Sequence, residues 1–179
     1  RMDRIYSQMG YAFAKHIFGI KGSYAVDPQK GAVVMTLTTQ GDAPIHYTLD
    51  GSEPTAASPR YTEPVEIGKS ARFRTTALRE GGENASYSRE FAFSKSTGRP
   101  AVLNTKPNDS YTFEGASLLV DGYHSRPVFT SGAWLGYLDE PLDVTIDMGG
   151  EQSYRSVELE TLAEKGDWIF PPSSVTVWV

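Results

Sequence analysis

Ile45, Tyr47 and Leu49 alternate with His46 and Thr48, so an extended segment here has one apolar and one polar face. The same period of two predicts strands over Tyr24–Val26, Ala32–Thr38, Ile45–Leu49, Pro64–Ile67, Arg72–Leu78 and Tyr87–Phe93. Breaks fall at Asp27-Pro28, Gly41-Asp42, Gly68-Lys69 and Gly81-Gly82. After Leu49 the chain turns at Asp50-Gly51, where Gly accepts positive φ and Asp can bond its own downstream backbone. Ser52 to Pro59 holds two prolines and no alternation. It therefore reads as a stiffened loop, not a two-residue hairpin, with pairing resumed between Tyr61 and Ile67.

A different period opens the chain. Met2, Ile5, Tyr6 and Met9 share one helical face, and Gly10 suits the residue after a helix end. So short a helix needs a packing partner, either the domain behind it or a body upstream. Tyr11 to Ile20 reads as extended and mostly apolar. The run Ser94-Lys95-Ser96-Thr97-Gly98-Arg99-Pro100 is polar, contains Gly and Pro, and marks a domain boundary. Beyond it, strands are predicted over Ala101–Leu103, Ser117–Val120, Leu142–Asp147, Tyr154–Leu162 and Val175–Val179.

The expectation is an all-β chain of two tandem β-sandwiches behind a short N-terminal helix. Residues 1–20 are read as a connector, 21–95 as an immunoglobulin-like sandwich and 96–179 as a second β domain. Val175–Val179 ends the sequence inside an apparent strand, so the second domain is expected to be cut short.

Composition narrows the function classes. Net charge is −5 with no dense Lys/Arg run, which argues against tracking a nucleic-acid backbone. Cysteine is absent, excluding disulfides, thiolate nucleophiles and Cys-ligated zinc. No run of about 18 apolar residues is present, so no membrane-spanning helix is expected. His16, His46 and His124 lie outside any metal-ligand spacing. No Gly-x-Ser-x-Gly elbow supports a Ser/His/Asp set. Asn84-Ala85-Ser86 and Asn108-Asp109-Ser110 match the glycosylation acceptor pattern and read as loops.

Two motifs carry resemblances. Tyr47, Thr48, Asp50, Gly51, Ser52, Pro54 and Thr55, closed by Ser58, Pro59 and Tyr61, resemble the small sandwich on the C-terminal side of bacterial chitobiases and β-N-acetylhexosaminidases. Residues 1–20 are loosely similar to the exit from that family's catalytic barrel. In the second half, Leu119-Val120-Asp121-Gly122, Trp134-Leu135-Gly136-Tyr137 and Val144-Thr145-Ile146-Asp147-Met148-Gly149 follow the order of the discoidin, or coagulation factor C-type, jelly roll. Trp168-Ile169-Phe170-x-Pro172 resembles the copy found behind hexosaminidase barrels, and Trp168 is expected to be buried. Jelly rolls have about eight strands, and about five are predicted here, hence a partial one.

The resemblance implies a non-catalytic accessory region of a bacterial, periplasmic or extracellular glycoside hydrolase. Its partners would be an upstream catalytic barrel of the same polypeptide and glycans bearing N-acetylhexosamine. The family's catalytic Asp-Glu pair sits in His-x-Gly-Gly-Asp-Glu, whereas Asp139-Glu140 lacks those glycines and reads as a solvated turn. The family position of Asp121 implies a structural Ca²⁺ held by its carboxylate and backbone carbonyls, with an ordinary Asp-Gly turn as the alternative. Sugar binding needs exposed aromatic faces beside polar groups. Tyr123, His124 and Arg126 are the contact candidates, while Trp134 and Tyr137 are read as loop anchors. A structural spacer or an adhesion module without a sugar site is the rival reading.

Overall fold

The computed structural model describes residues 19–40, 43–78 and 84–179. The helix expected over Met2–Met9 lies outside them. The chain divides into two compact units after Ala92.

The first unit is a β-sandwich of two three-stranded antiparallel sheets. One sheet contains β1 (Lys21–Asp27), β2 (Ala32–Thr38) and β4 (Val65–Ile67), in the order β1-β2-β4. The other contains β3 (Ile45–Thr48), β5 (Ala71–Ala77) and β6 (Ala85–Phe91), in the order β3-β5-β6. Register aligns the apolar positions into rows, Val26-Val33-Ile67 and Tyr24-Met35-Val65 in the first sheet. In the second sheet Ile45 faces Ala77, and Phe73 faces Arg89. Val33, Met35, Ile67, Phe73 and Phe91 are buried and form the core.

The six strands expected here all form, with ends shifted by a few residues. Leu49 drops out of β3 because the Asp50 turn begins there, and its carbonyl accepts instead from Arg72 N–H at 3.0 Å. β4 stops short of Leu37, whose N–H donates to the Tyr61 hydroxyl at 3.0 Å. The outer edge of β3 is flanked by Pro59–Tyr61: Tyr47 N–H donates to the Pro59 carbonyl at 3.0 Å and Tyr61 N–H to the Ile45 carbonyl at 2.8 Å. On β6, Arg89 shares the inward side with Tyr87 and Phe91, and its guanidinium lies over the Tyr24 ring at 4.6 Å. An inward-pointing charge on an edge strand opposes pairing with a foreign strand.

The second unit holds one two-stranded antiparallel sheet, β7 (Ala101–Leu103) with β8 (Val144–Ile146). Asn104 closes its end, its Nδ2 donating to Asp143 Oδ1 at 2.9 Å and Thr145 Oγ1 at 3.0 Å. Single 3₁₀ turns follow at Asp109–Tyr111, Gly115–Leu119, Phe129–Ser131 and Lys165–Asp167. Val120 and Asp121 are buried, and the Val120 carbonyl accepts from Gly98 N–H at 2.8 Å.

Three predicted strands of this unit do not form. Ser117–Val120 lies in a 3₁₀ turn and its cap, because the Ser117 hydroxyl donates to the Glu114 carbonyl at 2.6 Å and draws the chain into a local turn. Tyr154–Leu162 and Val175–Val179 form no strand, and their larger apolar side chains include many exposed ones. Alternation equips a segment to lie in a sheet, but a strand also needs a neighbour to bond. The described residues of this unit therefore do not build the expected jelly roll. Trp168 is also not buried: it sits at the tip of a tight hairpin closed by Glu164 and Ile169, φ 58°, with 83% of its surface exposed.

Candidate functional site

The motif loop of the first unit is assembled by its own polar side chains. Asp50 Oδ1 accepts from the Ser52 hydroxyl at 2.6 Å and from Ser52 N–H at 2.9 Å. Those two bonds, the hydroxyl first, hold the Asp50 carboxyl below its ordinary value. Gly51 takes φ 85°, which a side chain would resist. The Thr48 hydroxyl reaches forward to the Ser52 carbonyl at 2.6 Å. Further on, Thr55 N–H donates to Ser58 Oγ at 3.0 Å, and Ser58 N–H returns to the Thr55 carbonyl at 3.0 Å. His46 is buried, and its Nδ1 meets the Ser58 carbonyl at 2.7 Å, which fixes Nδ1 as the protonated nitrogen. Arg74 reaches the Gly51 carbonyl at 3.2 Å and pairs with Glu53. Nearly every polar motif residue is thus occupied in shaping the loop.

The candidates of the second unit fall in one segment but have separate anchors. Asp121 is 3% exposed, and its Oδ1 accepts from Tyr123 N–H at 2.8 Å across Gly122, φ 66°. These contacts are those of an Asp-Gly turn. Among the described residues no three acidic or histidine side chains converge. A calcium ion here would draw on one carboxylate and backbone carbonyls. Tyr123 is half-buried, while His124 and Arg126 are exposed. His124 Nδ1 lies 3.3 Å from Glu160 Oε2, an ion pair when the ring is protonated. Arg126 contributes through its backbone, its carbonyl accepting from Trp134 Nε1–H at 3.2 Å and Val128 N–H at 2.7 Å. Trp134 is therefore a loop anchor. Tyr137 is another: its hydroxyl donates to the Thr105 carbonyl at 3.4 Å, and burial pushes the phenol upward in pKa.

Tyr111 and Phe113, which the sequence does not single out, join Phe129 of this segment in a row of aromatic rings. Tyr111 stands edge-on to Phe113 at 6.3 Å and to Phe129 at 6.4 Å. Its backbone zips to Gly136, whose N–H donates to the Tyr111 carbonyl at 3.2 Å. The signal available in sequence was the spacing Tyr111-x-Phe113 directly after an Asn-Asp-Ser turn.

Residues 23–89 match the family model of the chitobiase/beta-hexosaminidase C-terminal domain. That match spans β2 to β5, most of β1 and β6, and the whole motif loop. The family found is an accessory one, and no catalytic domain is detected in the chain. No support for a discoidin-like second domain emerges from the comparisons. No curated protein matches the chain.

Proposed function

We propose that this chain is the non-catalytic C-terminal accessory region of a bacterial, secreted β-N-acetylhexosaminidase-like glycoside hydrolase. It braces an upstream catalytic barrel and holds glycans bearing N-acetylhexosamine near it. The observation that carries this reading is the match of residues 23–89 to the accessory family, with the motif laid along β3 and the loop behind it. Tethering of this kind raises the substrate concentration around an active site without chemistry of its own. In this reading Tyr123, His124 and Arg126 offer the glycan an aromatic face and polar partners, and Asp121 is the position for calcium.

Calorimetric titration of the chain with β-1,4-linked N-acetylglucosamine oligomers, with and without Ca²⁺, tests the glycan part. Calcium-dependent heat that disappears in Tyr123→Ala is the expected result. Absence of heat at millimolar sugar would leave bracing alone. The bracing part is tested by joining the chain to a hexosaminidase barrel and melting the fusion, which should unfold at a higher temperature than the barrel alone. A protein-interaction module without sugar binding is the second reading, favoured by the exposure of Trp168, Phe170 and Trp178.

A further inference from the structure

Three described residues other than glycine have a left-handed backbone, Phe113, Asp139 and Trp168, and two of these are exposed aromatics. That region is disfavoured for any residue with a Cβ, and most of all for a bulky one. Phe113 adopts φ 40° and still leaves 46% of its surface in water, so burial does not account for the strain. The ring is nevertheless seated. Tyr111 stands edge-on to it, and Phe129 stands edge-on to Tyr111 in turn. Gly132, φ 81°, passes beneath it, close enough that a Cβ there would stand 3.6 Å from Phe113 Cδ1. Gly136 gives Tyr111 its room, since a Cβ there would meet Tyr111 Cβ at 2.9 Å.

We propose that the exposed part of the Phe113 ring, carried on the Tyr111–Phe129 row, is a stacking platform for one pyranose ring of an N-acetylhexosamine glycan. The proposal rests on the accessory-region reading above and gives it a particular contact. A pyranose presents an apolar C–H face to a π surface and hydroxyls at its rim. Along the chain the ring is flanked by Thr112 and Glu114, and its glycine floor is preceded by Ser131. The Thr112 hydroxyl donates to the Asn108 carbonyl at 3.0 Å and keeps acceptor capacity for a sugar hydroxyl. Acidic Asp109 and Glu114 on this stretch disfavour a phosphate-bearing ligand.

The test uses the full chain and the β-1,4-linked N-acetylglucosamine tetramer, read by saturation-transfer NMR and titration. Phe113→Gly should abolish stacking, weakening binding at least about tenfold, without lowering the melting temperature, because glycine relieves the left-handed backbone. Phe113→Trp should retain binding. A drop in melting temperature in Phe113→Gly with unchanged sugar affinity would make the ring ordinary packing and overturn the platform. Binding that survives Phe113→Gly but is lost in Tyr123→Ala would overturn the platform while leaving the glycan-holding reading intact. Absence of binding by the wild-type chain at millimolar tetramer would remove both the platform and glycan-holding.

Discussion

Gly22 on β1 lies where a side chain would strike Tyr87 of β6. A Cβ at residue 22 would stand 2.4 Å from Tyr87 Cζ and 2.6 Å from Cε1. That is about 1 Å inside ordinary carbon–carbon contact, so the Tyr87 ring would have to move aside. Gly22→Ala should therefore destabilise the sandwich by about 1–3 kcal/mol through overpacking. The gain of about 0.4–1 kcal/mol from a less flexible unfolded chain offsets only part of this. All three tryptophans, Trp134, Trp168 and Trp178, lie in the second unit, so their emission cannot report this change. Amide hydrogen exchange in peptides covering β2 and β5 can, since those strands carry the core. In a Tyr87→Ala background the same Gly22→Ala change should become neutral or mildly stabilising, a coupling of at least ~1 kcal/mol. Strictly additive effects would refute the reasoning, because they would mean that the two positions do not compete for space.

Other expectations concern the motif loop and the second unit. The Ser52 hydroxyl and N–H hold the Asp50 carboxyl below its ordinary value in the folded chain, so its contribution is present above the ordinary value and lost as pH falls through the lower folded one. Asp50→Asn should thus flatten the acid side of the melting-temperature profile, and identical profiles below about pH 4 would contradict the assignment. His46→Phe leaves the Ser58 carbonyl without its imidazole donor and should cost about 1–3 kcal/mol. It should also speed protease cleavage within Ser52–Pro59, and an unchanged cleavage rate would count against the anchor. Trp168 and Trp178 are largely in water, so acrylamide should quench most of the tryptophan emission and Trp168→Phe should shift the remainder to the blue. Emission protected from acrylamide would argue that the hairpin tip is covered in solution.

The first unit was legible because each strand there finds a neighbour whose inward residues match its own, Val33 beside Ile67 and Thr75 beside Tyr87. Local alternation and long-range pairing agree, so pattern alone places all six strands. In the second unit they part company. Val175, Val177 and Val179 alternate as well as any strand in the sandwich, yet no ladder joins them in the described chain. Ser117 illustrates the opposite failure, a single hydroxyl that captures the backbone before a sheet can. Of the candidate site, Asp121 came forward through a family resemblance, and Tyr123, His124 and Arg126 through their side-chain types in one loop. Phe113 did not, because what singles it out is a backbone angle, and an aromatic residue carries no sequence signal for that.

The segment Pro59–Tyr61 that lines the outer edge of β3 also bears on how such domains live beside one another. Domains joined in one polypeptide meet at effective concentrations of order millimolar, high enough for open sheet edges to find each other before each domain has closed. By bonding Tyr47 and Ile45 to its own loop, this sandwich withdraws one of its edges from that encounter. The motif that makes the domain recognisable in sequence thus doubles as insulation. Covering that edge leaves the sandwich one fewer row of open N–H and C=O groups to offer a neighbouring domain.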